Sequence, residues 1–197
     1  YSTYIDCTVC EEWLNFQNFA KWFENNYVEE YELDKDLLIN LKDDLFNKLH
    51  DKDVFMAYFA KATLAFETPS TVANFMTKTH NIDIKKAAVF PIVQGIRSLA
   101  LREKIRETTT VKRIKILEEK KVLQKDKAAE LIEAFDVVNN LRLKAQLEHI
   151  QDGKKINNEV DTHTLGKIER DLLKDSFKIV NEFKKFINYT FRIDKIS

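Results

Sequence analysis

The residues best equipped for chemistry are Arg142 and His149, seven residues apart with six between them in "NNLRLKAQLEHI". An imidazole can pass a proton to or from a reacting oxygen, and a guanidinium can stabilise charge building on phosphorus. Together they suit the cleavage of a phosphodiester. Cys7 and Cys10 form a lone C-x-x-C, with no second pair and no His at zinc-finger spacing. Two thiols cannot fill a tetrahedral zinc site, so we read them as ordinary cytosolic cysteines and assign no metal ligand.

Asp34 and Asp36 resemble the spaced carboxylates that hold magnesium in nucleotide-transferring enzymes. That chemistry needs a strand presenting both acids on one face and a Gly-Ser loop ahead of it to grip phosphates. The chain has no Gly-Ser dipeptide and no Gly before Gly95. We expect a solvated turn there and assign no catalytic residue.

Any such side chains need a scaffold. A chain of 197 residues suffices for one domain with a real core, or for one domain plus an appendage. Lys and Arg total 32 and Asp and Glu total 32, so no global field draws the chain to nucleic acid or to an anionic membrane. Three Gly and two Pro are too few for a β-sandwich or a loop-rich α/β enzyme. The expected fold is all-α, a bundle of four or more long helices with at most a short strand near 81–85. No apolar run approaches the roughly 20 residues that span a bilayer, and no secretory signal opens the chain, which points to the cytoplasm. Opening at Tyr1 rather than Met leads us to expect a fragment of a longer protein or a processed form.

Along the chain, "CEEWLNFQNFAKWFENNY" puts Trp13, Phe16, Phe19 (or Ala20) and Phe23 at helical spacing, an aromatic core stripe. A charge-rich stretch then suggests a boundary near residue 40, dividing a helical segment 1–40 from a helical domain 41–197. "DVFMAYFAKATLAFET" (53–68) reads as a buried helix ended by Pro69. Alternation at Ile82 and Ile84 suits a short strand. A central helix follows, apolar nearly all round, with Pro91 tolerated in its first turn. Thr109 or Thr110 should cap the next helix.

The helix from about Lys127 to Gln151 places Leu131, Ala134, Phe135, Val138, Leu141 and Ala145 on one arc, and Arg142 and His149 fall within it. Leu143, Leu147 and Ile150 lie opposite, so we expect this helix to be covered on two faces, with Gly153 as its stop. The last helix, about 165–191, carries Ile168, Leu172, Ile179, Val180, Phe183, Phe186 and Ile187 on one stripe with Glu169. A core-facing arginine needs a carboxylate or a ligand, and Glu169 is the internal candidate for Arg142.

From about 54 to 191 the chain resembles the nucleotidyltransferase substrate-binding domain family. The likeness is carried in order by "IDIKKAAVFPIVQGIRSLAL", "ETTTVKRIKIL", "EAFDVVNNLRLKAQLEHI", "GKKINN" and "LGKIERDLLKDSFKIV". Such modules follow a nucleotidyltransferase domain, often behind CBS-domain pairs, in bacterial proteins related to the nitrogen-signalling uridylyltransferases. The resemblance implies a non-catalytic helical domain whose cleft positions substrate for a catalytic domain supplied in cis or in trans, with a homodimer left open. Carried over residue by residue, it nominates Arg97, Arg113, Arg142, Gln146, Asn157 and Arg170 as substrate contacts. Guanidinium groups suit that work because their planar fork grips phosphate or carboxylate and stays charged. No cofactor is implied for this chain itself, since magnesium and a nucleoside triphosphate belong with a catalytic domain. Where the family often has a basic residue or His, this chain has Ala145, which puts a ligand role there in doubt. Residues 1–39 resemble a segment of phage HNH-endonuclease-like proteins, and alternatively the tail of the family's own catalytic domain. No HNH histidine pair accompanies them.

The competing reading is a ribonuclease of the HEPN type, in which helical bundles cut RNA with an Arg-x4–6-His pair. Arg142 and His149 have that spacing. Against it stand Leu143, where those nucleases prefer a polar residue, and the absence of net basic charge for RNA.

Overall fold

The computed structural model describes residues 35–49, 52–69 and 81–196. The chain divides into two units between Asp44 and Leu45. The aromatic stripe of Trp13, Phe16, Phe19 and Phe23, the Cys7–Cys10 pair and Asp34 lie outside the described residues. Of the first unit the described part is the start of α1 (Lys35–Leu49), which runs through residue 40 and contains Asp36, expected in a turn.

The second unit is all-α, as expected, with one two-stranded sheet. Its elements are α2 (Asp53–Lys61), β1 (Asn81–Asp83), a π-helical turn Lys85–Val89 leading into α3 (Phe90–Arg102), α4 (Thr110–Glu119), α5 (Lys125–Gln151), β2 (Glu159–Asp161) and α6 (Lys167–Phe191). Short 3-10 turns follow α2 and α6.

α3 is the central helix. Ile92, Ile96 and Leu99 are fully buried, and even Gln94 and Ser98 are out of solvent. Both polar side chains are satisfied on main-chain oxygens, Gln94 Nε2 donating to Phe59 O and Ser98 Oγ to Gln94 O. Gly95 permits the crossing with α6, because a Cβ there would stand 2.5 Å from Phe183 Cε1 and 3.1 Å from Ile187 Cγ1.

Pro91 sits in the first turn of α3, but the helical path began earlier, at the π-turn. Proline has no N–H to give the carbonyl four residues back, which is Ala87 O. That oxygen accepts instead from the buried Thr68 hydroxyl at 2.6 Å. The wider π spacing and the Thr68 bond together accommodate a proline within a continuous helical run.

α5 and α6 make the most extensive helix pair. They run antiparallel, since Lys127 meets Glu182 at one end and Lys144 meets Glu169 at the other. Ala128, Leu131, Ala134, Val138, Leu141 and Ala145 face Leu173, Phe177, Val180, Phe183 and Ile187 within one core.

Helix ends in a Gly-poor chain are closed in an unusual way. Gly153 stops α5 as expected, with its N–H on Ile150 O and the Lys154 N–H on His149 O. The same paired closure ends α3 at Lys104 and α4 at Lys121, both in the left-handed conformation that glycine usually takes.

Three expectations are corrected. The helix from Asp53 stops at Lys61 and gives way to a 3-10 turn well before Pro69, and Val54, Phe55 and Tyr58 on it are exposed. α5 is covered on one face only, for Leu143, Leu147 and Ile150 are all exposed. On α6 the stripe was misphased in the first half: Ile168 and Leu172 face outward while Leu173 and Phe177 are buried. The repeat 173–177–180–187–191 keeps the seam against α5, and the apolar residues at 168 and 172 fall off it.

Candidate functional site

The nominated residues fall in two groups. The first lies where α3 and α4 pack. Arg97 is exposed on α3, and Arg113 is half-buried on α4 with its Nε donating to Glu107 O at 2.6 Å. Burial, and next the nearby Arg97 cation, lower the Arg113 guanidinium from its ordinary value, with Glu107 opposing both. Two like charges thus share one patch.

Glu107 organises that patch. Its Oε1 accepts from the main-chain N–H of Thr108 at 2.7 Å and of Thr109 at 3.0 Å, and from the Thr109 hydroxyl at 3.3 Å. Those two N–H bonds hold its carboxyl at about 2, far below the ordinary 4.5. Thr109 occupies the N-cap position of α4, as expected, but its side chain does not cap. The carboxylate has taken its hydroxyl and holds the approach to α4 through the Thr108 and Thr109 N–H groups.

The second group lies on α5 and the sheet. β1 pairs antiparallel with β2, Ile82 opposite Val160, and both side chains are buried. The Ile84 N–H donates to Asn158 O and prolongs the ladder. Gln146 Nε2 reaches Asn158 Oδ1 at 3.4 Å, tying α5 to the strand. Asn157 is exposed and its Oδ1 accepts from Glu159 N, so it shapes the turn before β2. Arg142 on α5 and Arg170 on α6 are half-buried.

The expected Arg142–Glu169 pair does not form. Glu169 Oε1 takes Lys144 Nζ at 2.6 Å, and Oε2 accepts from the Gly166 N–H at 2.9 Å, closing the start of α6. Lys144, and then that N–H, lower the Glu169 carboxyl. Lys144 lies two positions along from Arg142 on the edge that faces the first turn of α6, where an arc drawn through apolar residues did not look. Among the described residues Arg142 has no ion-pair partner, and it is open enough to need none.

His149 lines a cavity of ≈ 180 Å³ between α5 and β2, with Lys144, Glu148, Asp152, Lys154, Asp161 and Thr164. Its Nδ1 is buried without a hydrogen-bond partner among the described residues. Arg142 is not in that cavity, and seven residues of helix separate the two by about 10 Å along the axis. No contact joins them. Among the described residues, no group of three or more His, Cys, Asp or Glu side chains is arranged to hold a metal. None is a helix long and apolar enough to cross a membrane.

The described residues thus form a helical bundle, with the Arg97 and Arg113 guanidiniums close together where α3 and α4 pack. The family model described as "Putative nucleotidyltransferase substrate binding domain" matches residues 53–191, and the chain belongs to that family. No curated protein and no solved structure matches it.

Proposed function

We propose that this chain is the non-catalytic substrate-positioning domain of a nucleotidyltransferase-type signalling protein of the bacterial cytoplasm, acting beside a catalytic domain in cis or in trans. The observation that carries the proposal is the family match, which spans the bundle from the start of α2 to the end of α6. The Arg97–Arg113 patch adds physical support. Bringing two guanidiniums together costs electrostatic energy in the free protein, and an anionic group of the substrate would repay it.

The test has two arms. The purified chain, given magnesium and each labelled nucleoside triphosphate, should yield no labelled product, and specific turnover by the chain alone would overturn the proposal. With a partner catalytic domain, Arg97→Gln with Arg113→Gln should raise KM for the acceptor substrate at least tenfold and leave kcat within about threefold, the pattern of lost binding that is uniform between ground and transition states. An unchanged KM would remove the patch from the site.

A further inference from the structure

A cavity of ≈ 380 Å³ opens at the far end of α6, away from every residue nominated above. It lies between Phe46 of α1, α2, the last turn of α3 and the end of α6 with its 3-10 turn. Met56, Ala57, Leu101, Phe191 and Ile196 supply an apolar lining. Arg102, Arg192 and Lys195 supply the charge, and Asp53 is the one carboxylate in the lining.

The state of these cations is informative. Arg102 is already fixed, its Nε donating to Glu103 Oε1 at 3.1 Å and its guanidinium lying 5.1 Å from the centre of the Phe191 ring. Arg192 and Lys195 are different. The acid between them in sequence, Asp194, has both carboxylate oxygens engaged by Asn188 Nδ2 at 2.9 Å. Neither Arg192 nor Lys195 has an ion-pair partner among the described residues. Arg192 also holds φ 52° and ψ 42°, a left-handed backbone that costs an L-residue roughly 1–2 kcal/mol where glycine would sit freely. As at Lys104 and Lys121, a long cationic side chain thus stands where glycine would sit freely, here at the wall of a cavity.

We propose that this cavity binds a nucleoside monophosphate. Two unpaired cations match the charge of about −1.5 to −2 that a phosphomonoester carries at neutral pH. The Arg102 guanidinium, 5.1 Å from the centre of the Phe191 ring, is a planar group on which a base can stack. Asp53 would repel bare phosphate but can accept from ribose hydroxyls, as carboxylates do in dinucleotide sites. The volume lies in the range of small-ligand pockets, about 300–1,000 Å³, at its lower end, which suits one nucleotide and not a dinucleotide. The site is separate from the Arg97–Arg113 patch and stands whether or not that patch binds the acceptor.

Calorimetric titration of the full chain with the four nucleoside monophosphates, inorganic phosphate and the free nucleosides tests this. At least one monophosphate should bind ten or more times tighter than phosphate and than its own nucleoside. Arg192→Gly with Lys195→Gln should weaken that binding at least tenfold while the unfolding midpoint stays level or rises, since glycine relieves the left-handed strain. Lys120→Gln, on the exposed end of α4, should leave the affinity unchanged. Absence of monophosphate binding at 5 mM ligand (about 3 kcal/mol of affinity or less), phosphate binding as tightly as the nucleotide, or full affinity in the folded double variant would each overturn the proposal.

Discussion

At the residue scale, Glu107 shows how one carboxylate can organise the segment that leads into a helix. Two main-chain N–H groups at the start of α4 are its chief ligands, so the charged form is the one the fold favours. The carboxyl ordinarily titrates near 4.5 and is held at about 2 in the folded chain. Between those values the unfolded chain binds the extra proton and the folded chain does not. Stability therefore rises with pH across that window, is fully present above about 4.5, and is lost as pH falls toward 2. Urea unfolding midpoints measured from pH 5 down to pH 2 should fall more steeply for the wild type than for Glu107→Gln. Parallel curves would show that the carboxylate does not hold the Thr108 and Thr109 N–H groups in solution.

At the element scale, the sequence exposed periodicity well and local closure poorly. The central helix, the short strand at Ile82, the Gly153 stop and the core arc of α5 were all legible, because each follows from apolar spacing or from a residue with special backbone freedom. The second strand was not, since "EVD" is three residues long and pairs only through tertiary contact. Nor was the phase of α6, where Ile168 and Leu172 are as apolar as the Leu173 and Phe177 that win the core. The Arg142–Glu169 expectation failed for a related reason: spacing on separate helices cannot say which of two cations, Lys144 or Arg142, faces the carboxylate.

The helix ends at Lys104 and Lys121 were invisible because lysine there breaks the glycine rule. That makes them testable. Lys121 carries φ 58° as the closing residue of α4, with its N–H on Glu118 O and the Val122 N–H on Leu117 O. Relief of roughly 1–2 kcal/mol of left-handed strain, less the entropy glycine loses on folding, leaves a net gain. Lys121→Gly should stabilise the chain by about 0.5–1 kcal/mol in chemical denaturation. Lys121→Ala, which keeps a Cβ, should not, and a destabilised glycine variant would mean that this closure is not populated.

At the scale of the whole molecule, equal numbers of acidic and basic residues bear on the one reading that would make the chain an enzyme by itself. A nuclease must first hold a polyanion, and that affinity comes from cations that displace counterions along the phosphate backbone. Here the named cations line no single track: Lys127 and Lys144 are engaged by carboxylates, Arg97 and Arg113 form one pair where α3 and α4 pack, and Arg142 and Arg192 sit on α5 and at the end of α6. His149 lines a cavity it shares with Glu148, Asp152 and Asp161, acids that repel phosphate, and Arg142 is not among its walls. We therefore expect no RNA cleavage above background from the purified chain, with or without magnesium. His149→Ala should act only on packing, with a cost of about 0.5–3 kcal/mol typical of a point substitution. Arg142→Ala, which strands no carboxylate because Lys144 holds Glu169, should cost under about 1 kcal/mol. Gel assays on labelled single-stranded RNA and urea unfolding of both variants check these outcomes. Metal-independent cleavage by the wild type, abolished in both variants, would instead make Arg142 and His149 a catalytic pair and the bundle a ribonuclease.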